Sequence, residues 1–387
     1  MKNVPRTYVA LATIGVLALS ACGSASAGNP GATAKAANAA AVATDILKMP
    51  TIDDSNGLVL DGELVADKAL LEAARADKVV WYTGSGAESA KLTAARFEAE
   101  TGVKVEMTRM PSGKLNERVL SEAGAGRLSA GVVTITDPTM ADGMTDGKVF
   151  TTYTEMPFQK QLEGMKNVVW RDGAYYTSYY SAYAFAYNSK AVKPEDAPKK
   201  WADLLDEKWK NKLGIVNAGA GGTVQGLAAF QEDHLGKDYW AKLAALKPRI
   251  FDTTSVQLEA MARGEILAGT AGFNSTYGAE KSGAPVKLVV PDDGISGTFN
   301  MQGLTTTGSK SAAAKLFMNW TWSKAGQNFA AAQGFVAART DIDQVPTGEY
   351  QLPKASDPSF IVYTPDEART RGTDIVSRWN KTFNFSG

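Results

Sequence analysis

Side chains able to do nucleophilic or metal chemistry are scarce in this chain. Among 387 residues there is one histidine, His234, and one cysteine, Cys22. A Cys/His zinc site or a disulfide framework cannot be built from that inventory. A Ser-His-Asp nucleophile would rest wholly on His234. That residue sits in Gln231-Glu232-Asp233-His234-Leu235-Gly236 and reads as a solvated or helix-capping side chain. Neither a G-x-S-x-G elbow nor a G-x-x-x-x-G-K-[ST] loop occurs. Gly84-Ser85-Gly86 falls short of the dinucleotide fingerprint, because Ser89 stands where its third glycine belongs. The pairs Asp53-Asp54 and Asp292-Asp293 read as turn and surface residues. Nothing here assembles a nucleophile with a base or asks for a cofactor, so a cell-surface hydrolase is the lowest-ranked function.

Binding chemistry is better supplied. Thr83-Gly84-Ser85-Gly86 and Asn217-Ala218-Gly219-Ala220-Gly221-Gly222-Thr223 are small-residue stretches, one in each half of the chain, each between a strand-like run and a helical pattern. Such junctions aim free backbone N–H groups and the positive end of a helix at one spot. Two of them facing each other would suit an oxyanion such as phosphate, phosphonate or carboxylate. The predicted shell is Thr83, Gly84, Ser85, Gly86, Gly219, Ala220 and Gly221, acting mostly through backbone N–H groups. Arg109 is a candidate counter-ion or a solvated side chain. In Tyr175-Tyr176-Thr177-Ser178-Tyr179-Tyr180-Ser181-Ala182-Tyr183, strand alternation places Tyr176, Ser178 and Tyr180 on one face. That face either lines a cleft, with Tyr180 offering its phenol, or packs a hinge.

The elements that must position these loops alternate between strand and helix. Lys78 to Tyr82 is a short β-branched and aromatic run, followed by a helix with Ala90, Ala94, Ala95, Phe97 and Ala99 on its packing face and Gly102 as C-cap. Strands over Val103–Met107 and Gly131–Thr136 flank a helix over Leu115–Ala125. A second unit has a helix from Trp201, a strand Leu213–Val216, helices Thr223–Phe230 and Val256–Arg263, and strands Ile266–Gly269 and Leu288–Val290. Ala- and aromatic-rich helices fill Ser311–Gly334, and helical spacing over Leu60–Ala76 predicts an introductory helix. Alternation of this kind implies an α/β fold with mostly parallel sheets flanked by helices. Extended segments near Tyr179–Tyr187 and Thr298–Thr307 would join two lobes.

Composition agrees with a folded binding protein. Hydrophobic residues make up 44% and charged residues 21%, as in ordinary globular chains. Lys+Arg and Asp+Glu both number 41, so no basic footprint for nucleic acid exists. Lys2 and Arg6, the apolar run Tyr8–Leu19 and then Ser20-Ala21-Cys22 form a secretory signal over residues 1–21. That run is shorter than the roughly 20 apolar residues that span a bilayer. The segment 22–45, dominated by Ala, Gly, Ser and Asn after Cys22, has the composition of a flexible tether.

Leu19-Ser20-Ala21-Cys22 resembles the lipobox of bacterial lipoproteins, which implies lipidation of Cys22 and anchoring to the bacterial cell membrane, facing the periplasm or the exterior. The runs Val79–Ser85, Phe97–Val105, Tyr187–Lys190, Ala197–Leu205, Ala313–Phe317 and Ser323–Gln327 are together similar to the ferric-iron-type branch of solute-binding lipoproteins of ABC importers. The resemblance runs in consistent order over about Lys78 to Arg339. It implies a two-lobed periplasmic-binding-protein fold of type 2, with lobe 1 over 46–183 and 300–345, and lobe 2 over 184–299 and 346–387. It also implies a monomer that closes on a small ligand and hands it to an ABC permease with its ATPase. Thr254 and Ser255 match a family position that contacts the bound anion, and Asn274 and Tyr277 would add donors from the far lobe. For ferric iron, the family's first-loop histidine is replaced by Ser85-Gly86-Ala87. Asp137 matches the carboxylate after the third strand, and Tyr277 is the one phenol near the expected tyrosine pair. Asp137 and Tyr277 would need exogenous anions to complete a ferric shell, so a small anion or polar solute ranks first and ferric iron second.

Overall fold

A computed structural model describes residues 45–386 of the chain. The signal 1–21, Cys22 and the tether up to residue 44 lie outside the described residues. Among those described, no helix is long and apolar enough to cross a membrane.

The described chain opens on a small antiparallel sheet, β1 (Ile52–Asp53), β2 (Leu58–Leu60) and β3 (Glu63–Ala66). Here the helix expected over Leu60–Ala76 is corrected. Asp61 (φ 47°) and Gly62 (φ 82°) both adopt positive φ, so Asp-Gly makes a two-residue hairpin turn between β2 and β3. Helix is confined to Lys68–Arg75, started by Asp67, whose carboxylate accepts from the Leu70 N–H at 2.7 Å.

The main sheet follows. β4 (Lys78–Thr83), β5 (Lys104–Arg109) and β6 (Val132–Ile135) are parallel, connected by the helices Ala87–Thr101 and Ser112–Gly124. Gly102 ends the first of these at φ 77°, with its N–H on the Glu98 carbonyl. The helix Pro138–Asp146, β7 (Val169–Trp170) and the long β8 (Tyr175–Asn188) come next. β9 (Leu213–Val216), β10 (Arg249–Phe251) and β11 (Ala268–Gly272) form the second parallel set, with helices Gly222–His234, Thr254–Ala262 and Phe273–Lys281. Trp201–Leu205 is a 3₁₀ turn rather than a full helix. β12 (Val286–Val289), β13 (Ile295–Leu304), β14 (Phe335–Ala337) and β15 (Phe360–Val362) complete the sheet. Helices Ala312–Trp322 and Lys324–Ala332 precede β14, and Pro365–Phe383 closes the chain.

The strand order is β10-β9-β11-β8-β13-β6-β4-β5. β8 and β13 run antiparallel to each other at the centre, and each also pairs with one parallel set. They are the two crossovers between lobes, and the α/β, two-lobed arrangement agrees with the sequence. Each lobe has its own core. The first packs Trp81, Phe97, Phe317 and Trp320, with the Phe97 and Phe317 rings edge-on at 4.9 Å. The second gathers Phe185, Trp201, Phe230 and Trp379. Each large apolar side chain removed from water contributes about 1.5–3 kcal/mol, so two separate cores favour two bodies that keep their own shape when they move. Phe273, Tyr350, Leu352 and Phe360 join the first core, although 184–299 and 346–387 were expected in the second lobe.

Inside the first lobe Arg96 and Glu100 form a buried ion pair one turn apart, and Trp320 Nε1 donates to Glu100 at 2.6 Å. Burial pushes the Glu100 carboxyl above its ordinary value, against the pull of Trp320 and Arg96. Arg96 also donates to the Lys48 carbonyl at 2.8 Å, fastening the entering chain to this lobe.

Candidate ligand-binding cleft

Where the two parallel sets meet β8 and β13, the molecule holds a cleft of about 630 Å³. Its floor is the Tyr179–Tyr183 stretch of β8 with Asn300 of β13, and its walls are the loops that follow strands in each lobe. This is where an open α/β sheet places a ligand, outside the carboxyl ends of its strands.

In the first lobe, Thr83 ends β4 fully buried, and its hydroxyl accepts from the Ser85 N–H at 3.1 Å. Thr83 therefore shapes the loop from behind and does not line the cleft; Gly84, Ser85 and Gly86 do. Glycine is needed at 84, because a Cβ there would come 2.5 Å from Ser112 Oγ, which bonds Thr136 Oγ1 at 2.8 Å. Arg109, at the end of β5, donates through Nε to the Ser85 carbonyl at 2.9 Å. It is the only lysine or arginine among the described lining residues, and it pairs with no carboxylate among them. Asp137 lines the wall and starts the helix Pro138–Asp146, one oxygen accepting from the Thr139 N–H at 2.8 Å and hydroxyl at 2.7 Å.

In the second lobe Gly219, Ala220 and Gly221 line the opposite wall, with Asp252, Thr254 and Ser255 beside them. A Cβ on Gly222 would lie 3.1 Å from the Thr136 carbonyl, so the lobes touch backbone to backbone at this point. Asn274 also lines the cleft, and its amide donates to the Gln333 carbonyl across the floor.

The distribution of helix caps is informative. Away from the cleft, helices Lys68–Arg75, Ala312–Trp322, Lys324–Ala332 and Pro365–Phe383 are capped by the side chains of Asp67, Ser311, Ser323 and Thr364, and the short helices Gln159–Glu163 and Tyr239–Ala245 are not. Six further helices begin on the cleft lining. Asp137 and Thr253 cap two of them, but Gly86, Pro111, Gly221 and Gly272 offer the other four no side-chain acceptor. Four helix N-termini without a side-chain acceptor thus meet on one lining, where their N–H groups attract an anion. Two of these termini, at Gly86 and Gly221, belong to the small-residue junctions evident in the sequence.

The tyrosine cluster does not alternate as expected. Tyr180 pairs with Phe299 and Tyr179 with Asn300, but Met301 pairs with Thr177, so Ser178 is a bulge. Beyond it the parity of β8 flips. Tyr179, Ser181 and Tyr183 face the cleft, whereas Tyr180 packs on Phe299 and Phe360 with ring centroids 5.1 and 5.7 Å away. The expectation that Tyr180 lines the cleft and shares a face with Tyr176 is therefore corrected. The cleft phenols are matched, one to each lobe: Tyr179 Oη lies 2.8 Å from Ser85 Oγ, and Tyr183 Oη lies 2.7 Å from Thr254 Oγ1. Burial pushes both phenols up to about 12, so they are neutral hydrogen-bonding groups at ordinary pH. Phe335 packs on Tyr179 with ring centroids 4.1 Å apart and the planes tilted by 31°.

Tyr277 lies outside the cleft, its ring edge-on to Tyr350 and against Gly348. The structure thus does not bring Tyr277 to Asp137 as a ferric pair. Among the described residues no group of three or more His, Cys, Asp or Glu is disposed to hold a metal ion. His234 is exposed at the end of its helix, stacked on Phe230 at 5.6 Å, and does not line the cleft.

Comparison with known proteins agrees with this geometry. Residues 93–358 match the family described as bacterial extracellular solute-binding protein. A Haemophilus influenzae protein is 32% identical over 161 residues, covering 40% of this chain and 46% of the relative. A putative 2-aminoethylphosphonate-binding periplasmic protein of Salmonella typhimurium is 29% identical over 212 residues, 51% of this chain and 62% of the relative. The chain thus spans about half of the length of these curated relatives. Among solved structures, iron-bound HitA from Pseudomonas aeruginosa superposes with TM-score 0.60 at 17% identity, over 79% of this chain and 99% of that one. AfuA from Actinobacillus pleuropneumoniae, with fructose-6-phosphate bound, gives 0.60 at 21% identity, over 80% and 99%. At such identities these likenesses show the fold.

Proposed function

Because this chain belongs to the bacterial extracellular solute-binding protein family, we propose that its cleft captures a small oxyanion and delivers it to the permease of an ABC importer. The observation that carries this reading is the convergence on the cleft of four helix N-termini without side-chain caps, beside the unpaired guanidinium of Arg109. Phosphate, phosphonate and carboxylate groups match such donors, because fixed N–H groups cost no reorganisation when the anion arrives. Asp137 and Asp252 leave two acceptors on the wall, which suit a ligand carrying an amine or hydroxyls besides its anionic group. The Salmonella relative and AfuA, named for an aminophosphonate and solved with a sugar phosphate, support that class.

The two lobes close about β8 and β13, and ligand binding shifts that open–closed equilibrium. Cys22 carries the lipid, residues 23–45 tether the body outside the membrane, and the monomer presents both lobes to the permease and its ATPase. No step of this cycle is catalytic. Ferric iron is the second reading, supported by the cleft phenols of Tyr179 and Tyr183 and the fold shared with HitA. It is weaker because, among the described residues, no group of three or more His, Cys, Asp or Glu stands ready to complete a ferric shell beside them.

Thermal denaturation of the metal-free mature protein with phosphate, 2-aminoethylphosphonate, fructose-6-phosphate, acetate and ferric citrate tests the reading. A true ligand at about 100 times its Kd adds about 2.7 kcal/mol of stability. Stabilisation by ferric citrate alone would overturn the oxyanion assignment.

A further inference from the structure

The helix Pro365–Phe383 belongs to the second lobe by its core and to both lobes by its charges. Ile375, Trp379 and Phe383 are buried in the second core. On its outer side Arg371 pairs with Asp233 at 2.8 Å and Arg378 with Glu232 at 2.7 Å, both on the helix Gly222–His234 of the same lobe. Arg369 departs from that pattern. It pairs with Asp142, on the helix Pro138–Asp146 of the first lobe. Asp142 is only 8% exposed and also accepts from the Tyr175 phenol at 2.8 Å and from Arg171 at 3.3 Å. Tyr175 is the first residue of the crossover strand β8. One carboxylate therefore gathers the C-terminal helix, the crossover strand and a first-lobe helix.

Beneath this junction the contact between the lobes is interrupted. A cavity of about 330 Å³ separates the start of the helix Pro138–Asp146 from that of Gly222–His234, lined by Asp137, Thr139, Gln225 and Thr298 and bounded by Arg369 itself. It shares Thr136, Asp137 and Gly222 with the ligand cleft, so it lies where the lobes must shift against each other. Packing cannot fix the lobe angle across an empty space, and an ion pair at its edge can. We propose that the Arg369–Asp142 pair is an interlobe latch that holds the lobes in the present arrangement and is released when they swing apart. The latch needs two moving lobes but no particular ligand, so it stands or falls separately from the oxyanion assignment. With the Arg369 side chain 44% exposed, the pair is within reach of salt screening, as a reversible contact requires.

Small-angle X-ray scattering of the ligand-free mature protein tests this. Arg369→Met should increase the radius of gyration, and Arg369→Lys should keep the wild-type value. Arg371→Met, which breaks a contact inside one lobe, should lower the melting temperature without changing the radius. Wild-type protein should expand on going from about 0.05 M to about 1 M NaCl, where the Debye length falls to about 3 Å. That salt series decides the matter if Arg369→Met fails to fold. An unchanged radius in Arg369→Met, equal expansion in Arg371→Met, or a salt-independent wild-type radius would overturn the latch.

Discussion

The Tyr179 phenol and the Ser85 hydroxyl lie 2.8 Å apart although 94 residues separate them in the chain. The bond joins the crossover strand β8 to the loop at the start of the helix Ala87–Thr101. Tyr183 repeats the arrangement toward the other lobe, 2.7 Å from Thr254 at the start of the helix Thr254–Ala262. One strand therefore holds a phenol against a helix terminus in each lobe, and both pairs line the cleft.

Removing either partner should weaken binding. Ser85→Ala and Tyr183→Phe are each expected to raise the Kd of the anion identified by thermal denaturation about five- to tenfold, the equivalent of one neutral hydrogen bond of about 1 kcal/mol. Calorimetric titration checks this. Tyr180→Phe, on the far face of β8, should leave the Kd unchanged.

Arg109 carries the cleft's unpaired positive charge, so Arg109→Met should cost about tenfold or more in anion affinity. Wild-type affinity should fall as salt rises, and the variant should be much less sensitive. Equal salt dependence in both proteins would place the electrostatic contribution elsewhere.

The cleft phenols predict an alkaline signature. Burial raises Tyr179 and Tyr183 from 10.0 to about 12, partly offset by the Ser85 and Thr254 bonds. A pKa raised in the folded state gives stability that is complete below about pH 10 and is lost as pH rises through about 12. Tyr183→Phe should flatten the fall in stability over that window, and absorbance at alkaline pH should show one late-ionising phenol fewer.

If ferric iron binds, the visible phenolate band should vanish in Tyr179→Phe or Tyr183→Phe and persist in Tyr277→Phe, whose ring packs on Tyr350 outside the cleft. Loss of the band only in Tyr277→Phe would require a rearranged site.

Gly222→Ala should act on the lobe contact. Its Cβ would sit 3.1 Å from the Thr136 carbonyl, tight enough that one backbone must give by a few tenths of an ångström. Weaker ligand binding with nearly unchanged melting temperature is expected. A large loss of melting temperature would instead assign Gly222 a purely structural role.

Much of the architecture was legible from local pattern. Apolar runs such as Val79–Tyr82 become strands, Gly102 ends its helix, and the two glycine-rich junctions lie on opposite walls of one cleft. These features depend on neighbours a few residues apart, and backbone sterics and hydrophobic period act at that range. The same reasoning missed the Asp61-Gly62 hairpin, where turn chemistry outweighs the helical spacing of the leucines around it.

Local pattern showed small-residue helix starts at Gly86 and Gly221, a single histidine, and two α/β units in order. Tertiary structure alone decided which side chains line the cleft. The pairing of β8 with β13 slips at Ser178, and that one-residue slip turns Tyr179 and Tyr183 inward and Tyr180 outward. Alternation cannot reveal a bulge, because the slip is imposed by the partner strand, some 120 residues away, and not by the tyrosines themselves.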